Sequence, residues 1–135
     1  MIRTAHLVLA VAFTIGVVIQ VFLAGLGVFD DPSTFGVHAT WGYMLEVVVL
    51  ALLVLAIIGR LGRRQIGYAA ALIGMFALQS IFVAVRDEVP VIAALHPVNG
   101  FAILLVGILQ MRDAWGARAT ARAQRASAAY APALE

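Results

Sequence analysis

The chain has no cysteine and no lysine, and only 12% of its 135 residues are charged. Without cysteine there is no disulfide, no thiolate-held metal and no thiol redox chemistry, so redox work requires a bound cofactor. Soluble domains carry about 25% charged residues, and a chain with half that share is poorly suited to an aqueous surface. The formal charge of +2 rests on arginine alone and is concentrated near predicted helix ends and in the C-terminal tail. That distribution favours contact with anionic lipid over nucleic acid. Proline and histidine are scarce too, with four and three copies, so where they fall carries weight.

Apolar residues are abundant: 64% of the chain is hydrophobic and the mean hydropathy is +1.03. A hydrocarbon layer about 30 Å thick needs roughly 20 mostly apolar residues to cross it as a helix. Four such runs are predicted, at residues 5–29, 32–59, 65–85 and 90–111, and only Glu46 interrupts them with a formal charge. The first run is longer than the apolar core of a signal peptide and reads as a retained helix. Eight arginines fall on one side of this topology and Arg86 alone on the other, which puts both termini in the cytoplasm. The expected architecture is all-α, an integral membrane four-helix bundle over residues 1–115 with a cytoplasmic Arg/Ala-rich tail over 116–135. A bacterial inner membrane is the expected location.

Two stretches read alike, "PSTFGVHATWG" from Pro32 and "PVIAALHPVNG" from Pro90, each giving proline, five residues, histidine, three residues and glycine. At an offset of 58, Pro32 meets Pro90, His38 meets His96 and Gly42 meets Gly100; Gln20 and Gln79 correspond at 59. The bundle is therefore expected to consist of two helical-hairpin repeats. Each crosses the membrane twice, so the copies are parallel and related by an axis along the membrane normal. Pro32 and Pro90 are expected at the first positions of the second and fourth helices, with Asp31 as N-cap of the former.

Equal depth for His38 and His96, with Gly42 and Gly100 one turn further in on the same faces, leaves room for a flat guest between helices. Two neutral imidazoles from opposite sides match the axial ligand set of a haem iron. With no cysteine for a thioether bond, one non-covalent haem b is the expected cofactor, ligated by His38 and His96. Arg86 is the expected propionate partner, followed by Trp41, Tyr43 and Asn99, while Gln20 and Gln79 are expected to orient the ligands. Glu46, eight residues after His38, is a candidate proton carrier. His6 has no partner histidine at its depth.

These hairpins resemble one four-helix half of the haem A synthase architecture, in which paired histidines on the second and fourth helices ligate haem. The segments "QVFLAGLGVF", "FGVHATWG" and "ALHPVNG" also resemble an uncharacterised bacterial family of small four-helix membrane proteins. Both resemblances cover most of the first 115 residues.

The residues admit other readings: histidines that only make structural hydrogen bonds, or a pair that holds another metal or a quinone-like ligand. Iron with two protein ligands has no open position for substrate, so the expected role is electron transfer in the membrane, as a carrier or accessory subunit rather than an enzyme. A quinone or a larger redox complex is the expected partner. The alternative is a cofactor-free subunit or assembly factor that docks a larger membrane complex, and a transporter fragment using Glu46 is a third reading. Pro97 directly after His96 predicts a kink, or a late start to the fourth helix.

Overall fold

Backbone inside hydrocarbon has no water to bond to, so an apolar run of this length satisfies its amides internally as a helix. The computed structural model describes residues 1–129 and contains α1 (Ile2–Phe29), α2 (Thr34–Ile58), α3 (Arg63–Ala84), a single turn α4 (Pro90–Ala93) and α5 (Leu95–Ala129). No strand is present among the described residues. Four helical segments, α1, α2, α3 and the run from α4 into α5, are long and apolar enough to cross a membrane. The shortest, α3 with 22 residues, extends about 33 Å, just beyond a hydrocarbon core of about 30 Å.

The helices form a ring in the order α1, α2, α3, α5, so that α1 faces α3 and α2 faces α5 across the diagonals. Each contributes one buried seam. These are His6, Ala10, Phe13 and Val17 on α1; Leu45, Val49, Leu52 and Ala56 on α2; Gln65, Ala69, Leu72 and Phe76 on α3; and Ile103, Gly107, Gln110 and Ala114 on α5. Steps of four, three and four residues recur in all four seams, the spacing that lets helices pack side by side at a shallow angle. Large apolar residues such as Val8, Phe22, Val47, Val54 and Leu105 point outward, as lipid-facing positions do.

Among the described residues, all the fully buried side chains lie in one half of the bundle. Beyond Val17, before Leu45, beyond Phe76 and before Ile103 no side chain is fully buried, and the helices enclose a cavity instead. In the packed half the seam residues complement one another in size. The Phe13 ring lies 6.2 Å from that of Phe76, and a Cβ placed on Gly107 would come within 3.0 Å of Phe13 Cε1. Glycine at 107 is what admits the phenyl ring.

Helix ends depart from expectation in three places. α2 begins at Thr34 with Ser33 as its cap residue, so Pro32 lies in the preceding turn rather than at the first helical position. Asp31 does not cap the helix; its carboxylate accepts hydrogen bonds from Ser33 N at 2.8 Å and Ser33 Oγ at 2.6 Å. Those two bonds hold the Asp31 carboxyl below its ordinary pKa. α3 begins at Arg63, after a turn in which Gly62 adopts φ +100°, a conformation glycine tolerates without strain.

Pro90 does open α4, and the chain then breaks at Ala94 before α5 resumes at Leu95. Pro97 accounts for the break: it has no N–H to offer the Ala93 carbonyl four residues earlier, whereas in the first turn of α5 that donor is not needed. α5 then continues past Arg112 to Ala129 as one helix, with Trp115, Arg118, Arg122 and Arg125 exposed. The remainder of the tail, residues 130–135, lies outside the described residues.

Because Phe13 fills the space over Gly107, Gly107→Leu should destabilise the fold by about 1–3 kcal/mol. Reversible unfolding in mixed detergent micelles measures this, and wild-type stability in that variant would show the contact to be slack.

Candidate functional site

His38 lies near the start of α2 and His96 in the first turn of α5, on helices that face each other across the bundle. Their imidazole centroids are 6.1 Å apart, with ring planes inclined at 55°. The break before Leu95 thus leaves His96 half-buried and directed at its counterpart rather than lost at the interface.

Both imidazoles are held in the same way. His38 Nδ1 is 3.1 Å from the Gln20 backbone oxygen, and His96 Nδ1 is 3.4 Å from that of Gln79. A carbonyl can only accept, so each Nδ1 carries the hydrogen and each Nε2 keeps its lone pair. The neighbouring residues correspond as well. Trp41 Nε1 donates to the Gly16 carbonyl at 2.9 Å, and Asn99 Nδ2 donates to the Met75 carbonyl at 2.8 Å. Trp41 and Asn99 are 58 residues apart, and Gly16 and Met75 are 59 apart. These bonds direct both side chains at the adjacent helix, so neither is free to act as the propionate partner expected from the sequence.

The two glutamine side chains behave differently. Gln20 Nε2 lies 3.3 Å from His38 Nε2 and donates to it, while its Oε1 is buried without a partner. Gln79 Oε1 accepts instead from Asn99 Nδ2 at 2.8 Å. Each amide nitrogen lies over the glycine of its own half: a Cβ would meet Gln20 Nε2 at 3.0 Å on Gly42 and Gln79 Nε2 at 3.7 Å on Gly100. The room left by the glycines is taken up by glutamine amides, and a planar guest has to displace at least that of Gln20.

The cavity around the imidazoles measures about 840 Å³, within the range of roughly 300–1,000 Å³ that ligand pockets occupy. Its walls contain His38, His96, Gly42, Gly100, Gln20, Gln79, Arg86 and Glu46, whereas Trp41 and Asn99 are not among the lining residues. Aromatic side chains supply much of the remainder, and the Phe35 ring stands edge-on to His38 at 6.3 Å. Arg86 is exposed and lies 3.7 Å from Asp87. Glu46 is half-buried in the wall two turns along α2 from His38. Tyr43 also lines the cavity while remaining largely exposed. Among the described residues no three His, Cys, Asp or Glu side chains converge on one metal position.

A second polar group went unread in the sequence. His6, Gln65 and Gln110 are buried at the opposite end, where Gln65 Nε2 donates to the Gln110 backbone oxygen at 3.4 Å. Both His6 ring nitrogens, Gln65 Oε1 and both Gln110 side-chain amide atoms lack partners. One signal was available: Gln65 follows His6 by 59 residues, the separation of Gln20 and Gln79.

Residues 20–85 match the sequence model of a family of unknown function, DUF6220. The matched segment runs from Gln20 through the whole of α2 and α3 and ends before His96. No curated protein and no solved structure matches the chain, so the resemblance to haem A synthase rests on the residues quoted for it.

Asn99→Leu removes the donor to both Met75 and Gln79 and should cost about 0.6–2 kcal/mol, the range of interhelical hydrogen bonds in membranes. Trp41→Phe should cost a similar amount. Unfolding of the two variants in detergent checks both, and no loss in either would mean these bonds do not tie the helices together.

Proposed function

We propose that this chain is an integral membrane protein of the bacterial cytoplasmic membrane that binds one haem b between His38 and His96 and carries electrons within the bilayer. The observation behind this reading is the 6.1 Å separation of two imidazoles whose Nδ1 atoms are both tied to carbonyls. Two metal–nitrogen bonds of about 2 Å, with about 1.2 Å from each nitrogen to its ring centre, call for roughly 6.4 Å between centroids. The observed ring separation matches that spacing once both Nε2 atoms turn toward a shared iron, which requires His38 Nε2 to give up its contact with Gln20.

The donor set fits the group. His38 and His96 would hold the iron through Nε2, and the Gln20 and Gln79 carbonyls would set ring orientation and basicity from behind. The Gln20 amide would leave the His38 lone pair to the metal and turn toward its own unpartnered environment, while Asn99 keeps Gln79 in place. Aromatic and aliphatic walls would exclude water from the ring faces. Arg86, able to exchange Asp87 for another carboxylate, would receive a propionate at the cavity mouth. Haem b would supply a one-electron couple, and with His38 and His96 both committed to holding the iron the reading favours electron transfer over substrate chemistry. Glu46 would hold a proton beside the cavity, near a centre whose charge changes.

The duplicated-hairpin origin belongs to the same proposal. Shifting by 59 carries the α1 seam onto the α3 seam and shifting by 58 carries the α2 seam onto the α5 seam, position for position. Two parallel hairpins about a dyad along the membrane normal account for that correspondence and for histidines at one depth. The arginine distribution supports cytoplasmic termini, with the histidine cavity toward the outer leaflet. The redox partner would be a membrane quinone or a larger complex.

The alternative, a cofactor-free subunit that docks a larger complex, draws on one observation. Gly67, Ala70, Gly74 and Ala77 form an exposed stripe along α3, the kind of small-residue face on which membrane helices pack closely.

Absorption spectroscopy separates the two. Protein purified from haem-replete cells should show a reduced-minus-oxidised haem b spectrum at about one haem per chain, and His38→Ala or His96→Ala should each lower the content at least tenfold. Colourless wild-type protein would overturn the haem reading. For orientation, Ser33→Cys in this cysteine-free chain should react with an impermeant thiol reagent on intact cells, whereas Leu61→Cys should react only after lysis. The opposite pattern would invert the topology.

A further inference from the structure

At the end of the bundle away from the histidine pair, a cavity of about 700 Å³ opens among the start of α1, the α2–α3 turn and α5 beyond Met111. Arg3, Arg63, Arg64, Arg112 and Arg118 line it against one acid, Asp113, and five positive charges less one negative leave +4. Among the described residues only Arg64 of these five has an acidic partner, with Nε 3.0 Å from Asp113 Oδ2. Gly116 adds no side chain to the wall, and a Cβ there would touch nothing. So dense a set of like charges repels itself unless an anion sits among them.

His6 and Gln65 form part of the same wall. His6 is completely buried with neither ring nitrogen partnered, and Gln65 Oε1 is unpartnered too. A buried polar group without a partner is costly, and native structures keep few of them. Here the unpartnered imidazole lines the same cavity as the arginines, where one N–H can donate to an anion they gather. Guanidinium groups match the oxygens of a phosphate in forked pairs, and basic pockets between membrane helices take phosphate headgroups.

We infer that this cavity binds a phosphate-bearing anion, clamped by the arginines and bonded at its inner side by His6. The inference is independent of the haem reading, because the two cavities share no residue. The same chemistry comes from the headgroup of an anionic lipid or from a free phosphate, and the test separates these sources.

The full chain in neutral detergent is titrated with dioleoylphosphatidylglycerol, with dioleoylphosphatidylcholine, and with inorganic phosphate at matched ionic strength. Thermal stability and native mass spectrometry are the readouts. Saturable stabilisation by phosphatidylglycerol but not by phosphatidylcholine identifies a lipid site, and saturable stabilisation by phosphate alone identifies a soluble anion. Arg3→Gln combined with Arg112→Gln should weaken the binding at least tenfold, while Arg122→Gln combined with Arg125→Gln, outside the cavity, should change it less than twofold. His6→Leu provides the second variant. It removes an unpartnered polar group, so the ligand-free protein should be at least as stable as wild type while stabilisation by the ligand falls. No preference for either phosphate-bearing probe over phosphatidylcholine, or equal losses from the tail and cavity pairs, would overturn the inference.

Discussion

Interdigitation of four seams at one end of the bundle is the constraint on which the other features depend. In hydrocarbon the apolar side chains gain nothing by hiding from water, so close contact has to hold the helices together. The four-three-four spacing of buried positions supplies that contact along about half of each helix. Phe13 set against Gly107 and Phe76 shows how it is reached, with one large residue admitted by the absence of another. Since the packed half fixes the helix positions, the other half can remain hollow, and the cavity with its imidazoles is the result.

Polar groups mark the two places where packing gives way. Around the histidines, Gln20, His38, Trp41, Gln79, His96 and Asn99 all take part in bonds between adjacent helices, from Trp41 with Gly16 to Asn99 with Met75 and Gln79. That end is ordered by directional bonds. At the other end His6, Gln65 and Gln110 keep unpartnered atoms in a dry setting beneath exposed arginines. The contrast separates an end whose imidazoles are oriented by hydrogen bonds from one whose buried polar atoms lack partners.

Much of the site was legible because scarcity and repetition coincided. Three histidines in 135 residues, two with a matching proline and glycine, drew attention to the pair, and its glutamines followed from the offset. The interhelical bonds of Asn99 and Trp41 were not legible, because position near a predicted interface says nothing about which way a side chain turns. Their bonds run to carbonyls on neighbouring helices, and linear spacing gives no distance between helices. Gln65 and Gln110 passed unread, and His6 was read only as a histidine without a partner histidine, for a related reason. A polar residue in an apolar span faces either lipid or core, and only the seam spacing, read after packing is known, decides between them.

The sequence by itself determined helical class, four membrane-length segments and the pairing of His38 with His96, because these follow from hydropathy, length and residue identity along one chain. It also located the irregularity at Pro97, whose missing donor acts on a carbonyl only four residues away. The tertiary structure alone decided that α2 and α5 are diagonal neighbours, that the imidazoles approach to 6.1 Å, and that one end of the bundle is packed while the other is open. Those features depend on how side chains from separate helices share space, and no segment carries that information alone.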